Sequence, residues 1–438
     1  MTDKIKKAWG YRHFILFLLW LLYIINYFDR ISVLTFLPYI QKDLNLTVVQ
    51  VGWLASIFFF GYSCAQVLAG YLADRIGPKK TMTIAIWVFS LVTFVTGFVQ
   101  NFWQFICLRF GLALGEGQHF APSLRWIANW IPKEEKNWAN AFVSSTAGIA
   151  PAIVPVVVTQ LAALFGGNWR PVFFLLAVPG FVGVWLLWKY VEDWPKTALD
   201  KGRLAKEEYD LITSSTGAEE TGLGGKTYGP KMFLTDFHFY LYMVGMVILL
   251  MLYWGLVVWI STFLVRKHGM DLKTMGIVAS LPYIVAFFSM NLGGWLADKL
   301  FYKHPKYTSI IAFLGSCPAF YFIGNVTKGD TPMLLLGLIT ACLFLHFGWG
   351  MMFSYPSRRY PKEVVGRAVG VSNAVAQLGS FVGPLIAGYL VVTLPDKSLD
   401  FSNVFLFWSI LAIVGATVIS FLNERQILET PRATAESA

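Results

Sequence analysis

The sequence predicts an all-α membrane protein of twelve transmembrane helices in two pseudo-symmetric six-helix halves. Three observations predict it. The 438-residue chain is 56% hydrophobic and only 14% charged, whereas soluble domains carry about 25% charged residues. Twelve apolar stretches recur along it, each near the roughly 20 residues that a bilayer crossing needs. Short elements of the first six stretches also return in the last six.

Residues 1–12 are basic, and the apolar run after them continues without a small-residue cleavage site. That run therefore reads as the first span, not a removed signal. The spans centre near Leu19, Phe59, Phe89, Gly111, Ile153 and Gly180, then Leu250, Val285, Leu314, Cys342, Leu378 and Ala412. Between the sixth and seventh lies a polar stretch with Pro195, mixed charge and a glycine-rich run at 222–225. The expected division is an N-terminal half (1–191), a cytosolic linker (192–236) with a short amphipathic helix around 205–213, a C-terminal half (237–424) and a disordered cytosolic tail (425–438).

Charge sets the orientation. With both termini inside, cytosolic segments hold 25 of the 35 Lys and Arg, outer loops hold seven, and Arg30, Arg109 and Arg125 fall within spans. Such asymmetry predicts cytoplasmic termini. The net charge of +10 is then a signal of topology and lipid headgroups, not of nucleic-acid binding. Cys64, Cys107, Cys317 and Cys342 are isolated within spans, with neither metal-ligand nor disulfide spacing. No H-E-x-x-H, G-x-S-x-G or Walker loop is present, so an intramembrane enzyme is not expected.

Four charges sit inside apolar segments. Asp29 and Arg30 end the run 14–27, and Arg109 and Glu116 lie within 102–121. An ionisable group at the bilayer centre costs about 2.5–3.5 kcal/mol on insertion scales. Keeping two of each sign predicts a pathway for an ion or charged solute, with two structural salt bridges as the alternative. Arg109 and Glu116, seven apart, share one helix face two turns apart. Gly115 and Gly117 leave room beside Glu116, and desolvation favours the neutral form of a carboxyl, as a proton carrier requires. A static pair with Arg109 is the alternative. Asp29 and Arg30 point about 100° apart. Arg30 is expected to face a central cavity, its planar fork suiting a carboxylate, while Asp29 faces neighbouring helices. Tyr27 and Tyr62 are candidate donors to substrate, or span packing. Asn373 and Gln377, one turn apart, read a ligand or bind a neighbouring helix. His119 and His346 are candidate relay or packing histidines. Trp254 and Trp259 are further cavity candidates.

The repeat is local and legible. Gly70-Tyr-Leu-Ala-Asp74-Arg75 returns as Gly294-Trp-Leu-Ala-Asp298-Lys299, and Pro132-Lys133-Glu134 as Pro361-Lys362-Glu363. Parallel repeats place a substrate site near the midplane between halves. The longer run through Gly77, Lys79 and Lys80 matches every position of the signature loop of the major facilitator superfamily, which the chain resembles over about residues 12–424. The second copy lacks the turn glycine. Tyr27-Phe-Asp29-Arg30, Arg109-x6-Glu116-Gly117, Phe60-Gly61-Tyr62 and Asn373-x3-Gln377 are similar to the anion:cation symporter branch. That branch includes bacterial galactonate, glucarate and hexuronate transporters and animal sialic acid and vesicular glutamate carriers. The resemblance implies proton coupling at Asp29 and Glu116 and carboxylate binding at Arg30. His119, Pro122 and Ala147 depart from the branch pattern. The expected function is proton-coupled symport of a small organic anion, a sugar acid or another hydroxylated carboxylate. An organic-anion exchanger or a drug exporter is the alternative. The expected protein is a monomer of the inner membrane, with no cofactor beyond the coupling proton.

Overall fold

The computed structural model describes residues 9–132, 135–216, 231–395 and 398–425. The first run of helices is α1 (Tyr11–Asp43), α2 (Val48–Ile76), α3 (Pro78–Thr96), α4 (Phe102–Glu116), α5 (Phe120–Trp130), α6 (Lys136–Ser144), α7 (Thr146–Leu164) and α8 (Arg170–Tyr190). Short helices α9 (Pro195–Asp200), α10 (Lys206–Thr216) and α11 (Lys231–Leu234) follow. The second run is α12 (Phe237–Arg266), α13 (Leu272–Lys299), α14 (Lys306–Asn325), α15 (Thr331–Phe347), α16 (Trp349–Arg359), α17 (Lys362–Leu390) and α18 (Ser402–Ser420). A two-residue hairpin of β1 (Val392–Thr393) and β2 (Leu399–Asp400) sits before α18.

Among the described residues, eleven helical segments are long and apolar enough to cross a membrane. The expected fourth span is not one of them, because it is broken into α4, of 15 residues, and α5, of 11. Pro122 explains the break. It offers no N–H to the carbonyl four residues back, and its ring crowds that carbonyl.

Local signals set the helix ends. Thr47 and Gln50 cap α2 reciprocally, Thr47 Oγ1 accepting from the Gln50 amide at 3.2 Å. Gly77, at φ +87°, turns the chain from α2 into α3, which opens on Pro78. A side chain there would meet the Asp193 carboxylate at 2.8 Å. At the start of α1, His13 Nδ1 accepts from the Gly10 amide at 3.0 Å, and the segment after α8 supplies a further cap. Glu208 on α10 accepts from the Tyr11 and Arg12 amides at 3.0 and 3.1 Å and from Arg12 Nη1 at 3.0 Å. Arg12 Nε reaches Glu135 at 3.1 Å. The helix expected near 205–213 is thus present as α10 and is tied to the first span. The glycine run 222–225, Lys133, Glu134, Lys397 and the tail from 426 onward lie outside the described residues.

Helices of the first run meet those of the second through α2 on α17, α7 on α13 and α1 on α12. Small residues permit the closest approaches. A Cβ on Gly52 would stand 3.4 Å from Gly388 Cα and the Pro384 carbonyl. Gly276 similarly accepts Thr159 and Pro155 of α7. These approaches lie toward the face opposite the one that carries Tyr11 and Arg425.

On the face of the termini, Asp236 joins the linker to the second run. It caps α12 by accepting from the His238 amide at 3.1 Å. It also takes Arg359 Nη2 at 2.9 Å and Tyr360 Oη at 2.6 Å. Burial pushes this carboxyl up, but hydrogen bonds from Arg359 and Tyr360 outweigh burial and hold it below the ordinary carboxylate range. A depressed folded-state value means stability that is complete at neutral pH and lost as pH falls through the acid range. Asp236→Asn is therefore expected to lower thermal stability at pH 7 by the worth of a charge-assisted pair, about 1–3 kcal/mol. The gap from the parent should begin to narrow only below about pH 4, the ordinary carboxylate value, and go on closing as pH falls further. Melting curves in detergent across pH check this, and an equal gap at both ends refutes it.

Candidate functional site

The centre of the site is an ion pair between two spans. Arg30 of α1 directs Nε and Nη2 onto one oxygen of Glu116, at the end of α4, each at 2.9 Å. Glu116 is completely buried and Arg30 is 3% exposed. Arg30 Nη2 also reaches Asn26 at 3.4 Å. Four rings surround the guanidinium: Tyr62 at 4.7 Å, Phe58 at 4.8 Å, Tyr27 at 4.9 Å and Trp254 at 5.7 Å. Aromatic faces attract a cation most when water is excluded. Because both donors converge on Oε2, Glu116 Oε1 has no protein partner.

The alternative of a static pair between Glu116 and Arg109 is not the one the fold forms. Seven residues along a helix rise about 10 Å, and Arg30 reaches the carboxylate first from another helix. Arg109 instead gives Nε to the Leu54 carbonyl at 3.1 Å and lies 4.7 Å from the Phe58 ring. Its Nη1 and Nη2 are buried without a hydrogen-bond partner. Phe58 thus touches both guanidinium groups.

Asp29 points away from Arg30, as adjacent helical positions must. It is 1% exposed, and neither oxygen has a hydrogen-bond partner. Thr93 of α3 is its polar neighbour. His119 does not continue the face of Glu116, because it lies in the break between α4 and α5. Its ring stacks on Tyr23 with centroids 4.8 Å apart, and both ring nitrogens are unpartnered. Tyr27 meets Tyr23 edge-on at 5.2 Å, and Tyr62 stacks on Phe58.

The second run contributes mainly rings. Trp254 of α12 lies 4.6 Å from Phe59 as well as over Arg30. Tyr253 beside it meets His346 of α15 at 5.5 Å and Trp349 of α16 at 5.1 Å. Tyr253 and Tyr283 escaped sequence reasoning, being two among 19 tyrosines without a distinguishing motif. Asn373 and Gln377 are half-buried on α17, on the helical stripe that continues to Phe381. Phe381 in turn meets Trp53 and Phe60 of α2. Trp259 does not join the cluster, since its indole N–H donates to the Pro384 carbonyl at 3.0 Å.

The motif loops lie on the face of the termini. The Lys79 amide donates to Asp193 at 2.7 Å, and Lys79 Nζ to the Trp188 carbonyl at 3.1 Å. Arg75 donates to Tyr71 Oη at 2.8 Å, and Lys80 is exposed. In the second copy Asp298 pairs with Arg358 at 2.6 Å, while Lys299 is exposed. The surroundings of Gly70 and Asp74 lie outside the described residues. Among the described residues no group of three or more His, Cys, Asp or Glu is placed to hold a metal ion.

Chemically, the centre offers one buried guanidinium with a carboxylate as its counter-ion. A second carboxylate reaching Arg30 competes directly with Glu116.

Comparison with known proteins gives the same architecture and a family. The chain is 27% identical over 440 residues to a probable sulfoacetate transporter of Cupriavidus necator, covering 98% of this chain and 97% of that one. It is 29% identical over 411 residues to a probable galactarate/D-glucarate transporter of Escherichia coli, covering 89% and 90%. A hexuronate transporter of Bacillus subtilis is 24% identical, covering 96% of each chain. Among solved structures, a bacterial homolog of the human lysosomal transporter Spinster, inward-facing and occupied, superimposes with a TM-score of 0.78. Its identity is 16%, over 96% of this chain and 100% of that one. A D-xylose-proton symporter gives a TM-score of 0.76 at 14% identity, over 94% and 99%. Residues 19–357 match the Major Facilitator Superfamily. The chain belongs to that superfamily, and is a transporter rather than an enzyme.

Proposed function

We propose that this transporter carries a small organic anion, a sugar acid or another hydroxylated carboxylate, together with protons by alternating access. The observation that carries the reading is the Arg30–Glu116 pair within its aromatic cage. Sulfoacetate, galactarate, glucarate and hexuronate, named for the relatives, are organic anions and support it.

In this reading Glu116 and the substrate carboxylate compete for one guanidinium. A proton on Glu116 removes the internal competitor and releases Arg30 to the anion. When the anion leaves, Glu116 recovers Arg30 and sheds its proton. Asp29, beside Thr93 and without a counter-charge in contact, serves as a second proton site. Each proton entering along the potential contributes about 2.3 kcal/mol per 100 mV. Carrying more protons than anion charges makes uptake electrogenic. The transporter acts as a monomer of the inner membrane with both termini cytoplasmic, its halves 1–191 and 237–424 joined by the linker 192–236. The close approaches of α2 to α17 and α7 to α13 then mark the closed outer side, and the loops around Asp74–Lys80 and Asp298–Lys299 act as inner gating elements. Tyr27, Tyr62, Arg109, His119, Asn373 and Gln377 line the anion path.

Gradient-driven uptake in proteoliposomes tests the reading as a whole. No anion accumulation under an imposed inward proton gradient overturns it. Arg30→Lys keeps the charge and loses the planar fork. It is expected to weaken anion binding by about tenfold or more, roughly 1.4 kcal/mol, and titration of the purified variant reads this. Unchanged affinity removes Arg30 as the anchor.

Glu116→Gln mimics the protonated carboxyl permanently. The variant is expected to bind anion at least as well as the parent and to exchange labelled for unlabelled anion, yet fail to accumulate it. Counterflow and gradient-driven uptake on the same vesicles decide this. Loss of both activities in a folded protein assigns Glu116 to architecture. Asp29→Asn is expected to lose accumulation while retaining binding, and accumulation equal to the parent's makes Asp29 structural.

A further inference from the structure

The core charges are distributed unevenly. Among the described residues, the first run of helices buries Asp29, Arg30, Arg109, Glu116 and His119 around the site. In the second run the corresponding region contains one buried ionisable side chain of this kind, His346 of α15. Arg359 lies at the face of the termini, paired with Asp236, and His268 lies next to the loop before α13. A ligand held at Arg30 by its charged end therefore meets a nearly uncharged surface at its other end.

That surface is polar and incompletely satisfied. His346 Nδ1 lies 2.8 Å from the Cys342 carbonyl. A carbonyl only accepts, so Nδ1 carries the hydrogen, and in the neutral ring Nε2 is an acceptor. Trp349 stacks on the imidazole at 5.6 Å with an interplanar angle of 15°, fixing its plane. Tyr283 of α13 stands edge-on to the same ring at 6.4 Å. Its hydroxyl is buried without any hydrogen-bond partner, and the residue is 3% exposed. Ser280, one turn earlier on α13, likewise has an unpartnered buried hydroxyl. Tyr253 completes the cluster at 5.5 Å from His346. It connects with the charged centre because its ring lies 5.0 Å from Trp254, which covers Arg30.

Buried tyrosine hydroxyls normally find a partner, and an unmet one is a standing cost to the folded protein. An imidazole acceptor beside a free phenol offers the complementary pair that one alcohol needs, since a hydroxyl both donates and accepts. We propose that Tyr283 and His346, framed by Tyr253 and Trp349, form a hydroxyl-reading subsite for the end of the substrate remote from Arg30. The ligand class is a hydroxylated monocarboxylate. This rests on the anion reading above and names the substrate within it.

The test compares galactonate with hexanoate, which has the same chain length and charge but no hydroxyls. Binding is titrated with the purified full-length parent, Tyr283→Phe and His346→Phe. The parent should prefer galactonate. Each variant should lose about tenfold in galactonate affinity, the worth of one hydrogen bond, with hexanoate affinity unchanged. Without ligand, Tyr283→Phe should melt no lower than the parent, because its hydroxyl has no protein partner to lose. A purely structural hydroxyl would lower that melting point and affect both ligands alike, which overturns the subsite. Galactonate affinity within threefold of the parent's in both variants also overturns it (on a scale where about tenfold is one hydrogen bond). Failure of the parent to bind galactonate overturns the assigned class. If sulfoacetate still binds the parent and is lost in Arg30→Lys, the anion reading stands without the subsite. If the parent binds none of the three, both fall together.

Discussion

Burial of the Arg30–Glu116 pair governs the centre of this transporter. Two opposite charges are taken almost wholly out of water, where desolvation offsets much of their attraction and removal of one partner costs about 3–5 kcal/mol. The surrounding structure meets that demand. Tyr27, Phe58, Tyr62 and Trp254 turn ring faces toward the guanidinium, supplying attraction without a competing counter-ion. The pair is also incomplete, since Glu116 Oε1 has no protein partner. The pair thus ties α1 to α4 through one carboxylate oxygen and leaves the other unmet.

The broken fourth span follows from the same requirement. A straight helix through Glu116 would carry His119 along nearly the same face. The break before Pro122 instead lets α4 end at Glu116 and puts His119 against Tyr23. Close neighbours depend on small residues. Gly115 approaches the α3 backbone near Phe89, and Gly117 approaches the Tyr62 carbonyl. A side chain at either position would push α4 away from the helices that position its carboxylate. Arg109 shows the other side of the economy of charge in this core. Its guanidinium has one carbonyl and one ring in contact and no carboxylate.

At the face of the termini the linker takes part in the fold. Glu208 caps α1, while Glu192 pairs with Lys201 and Arg203 at 2.8 and 2.9 Å. The Asp236–Arg359–Tyr360 cluster fixes the start of α12 against the α16–α17 corner. These contacts tie the loops that carry the repeated motif to the ends of the spans. The aromatic and hydroxyl groups of the second run then face a charged centre supplied by the first.

Much of this was legible in the sequence. Hydropathy alone located the spans, because a backbone in lipid must satisfy its hydrogen bonds internally and long apolar helices do so. Buried Asp29, Arg30, Arg109 and Glu116 stood out because charge in an apolar segment is costly. Adjacent positions correctly set Asp29 and Arg30 apart, since helical geometry is local. Which charges would meet was not local. Spacing within one segment left open a pair between Arg109 and Glu116, whereas the tertiary fold brought Arg30 of α1 to that carboxylate. The aromatic cage was hidden among the chain's 73 aromatic residues, 37 Phe, 17 Trp and 19 Tyr. The sequence by itself determined the helices, the charged inventory and the family motifs, because these depend on composition and short-range periodicity. Only the tertiary structure decided that Arg30 holds Glu116, that Arg109 is left without a carboxylate and that Tyr283 stands beside His346, because each is a meeting of side chains from different helices, fixed by how those helices pack.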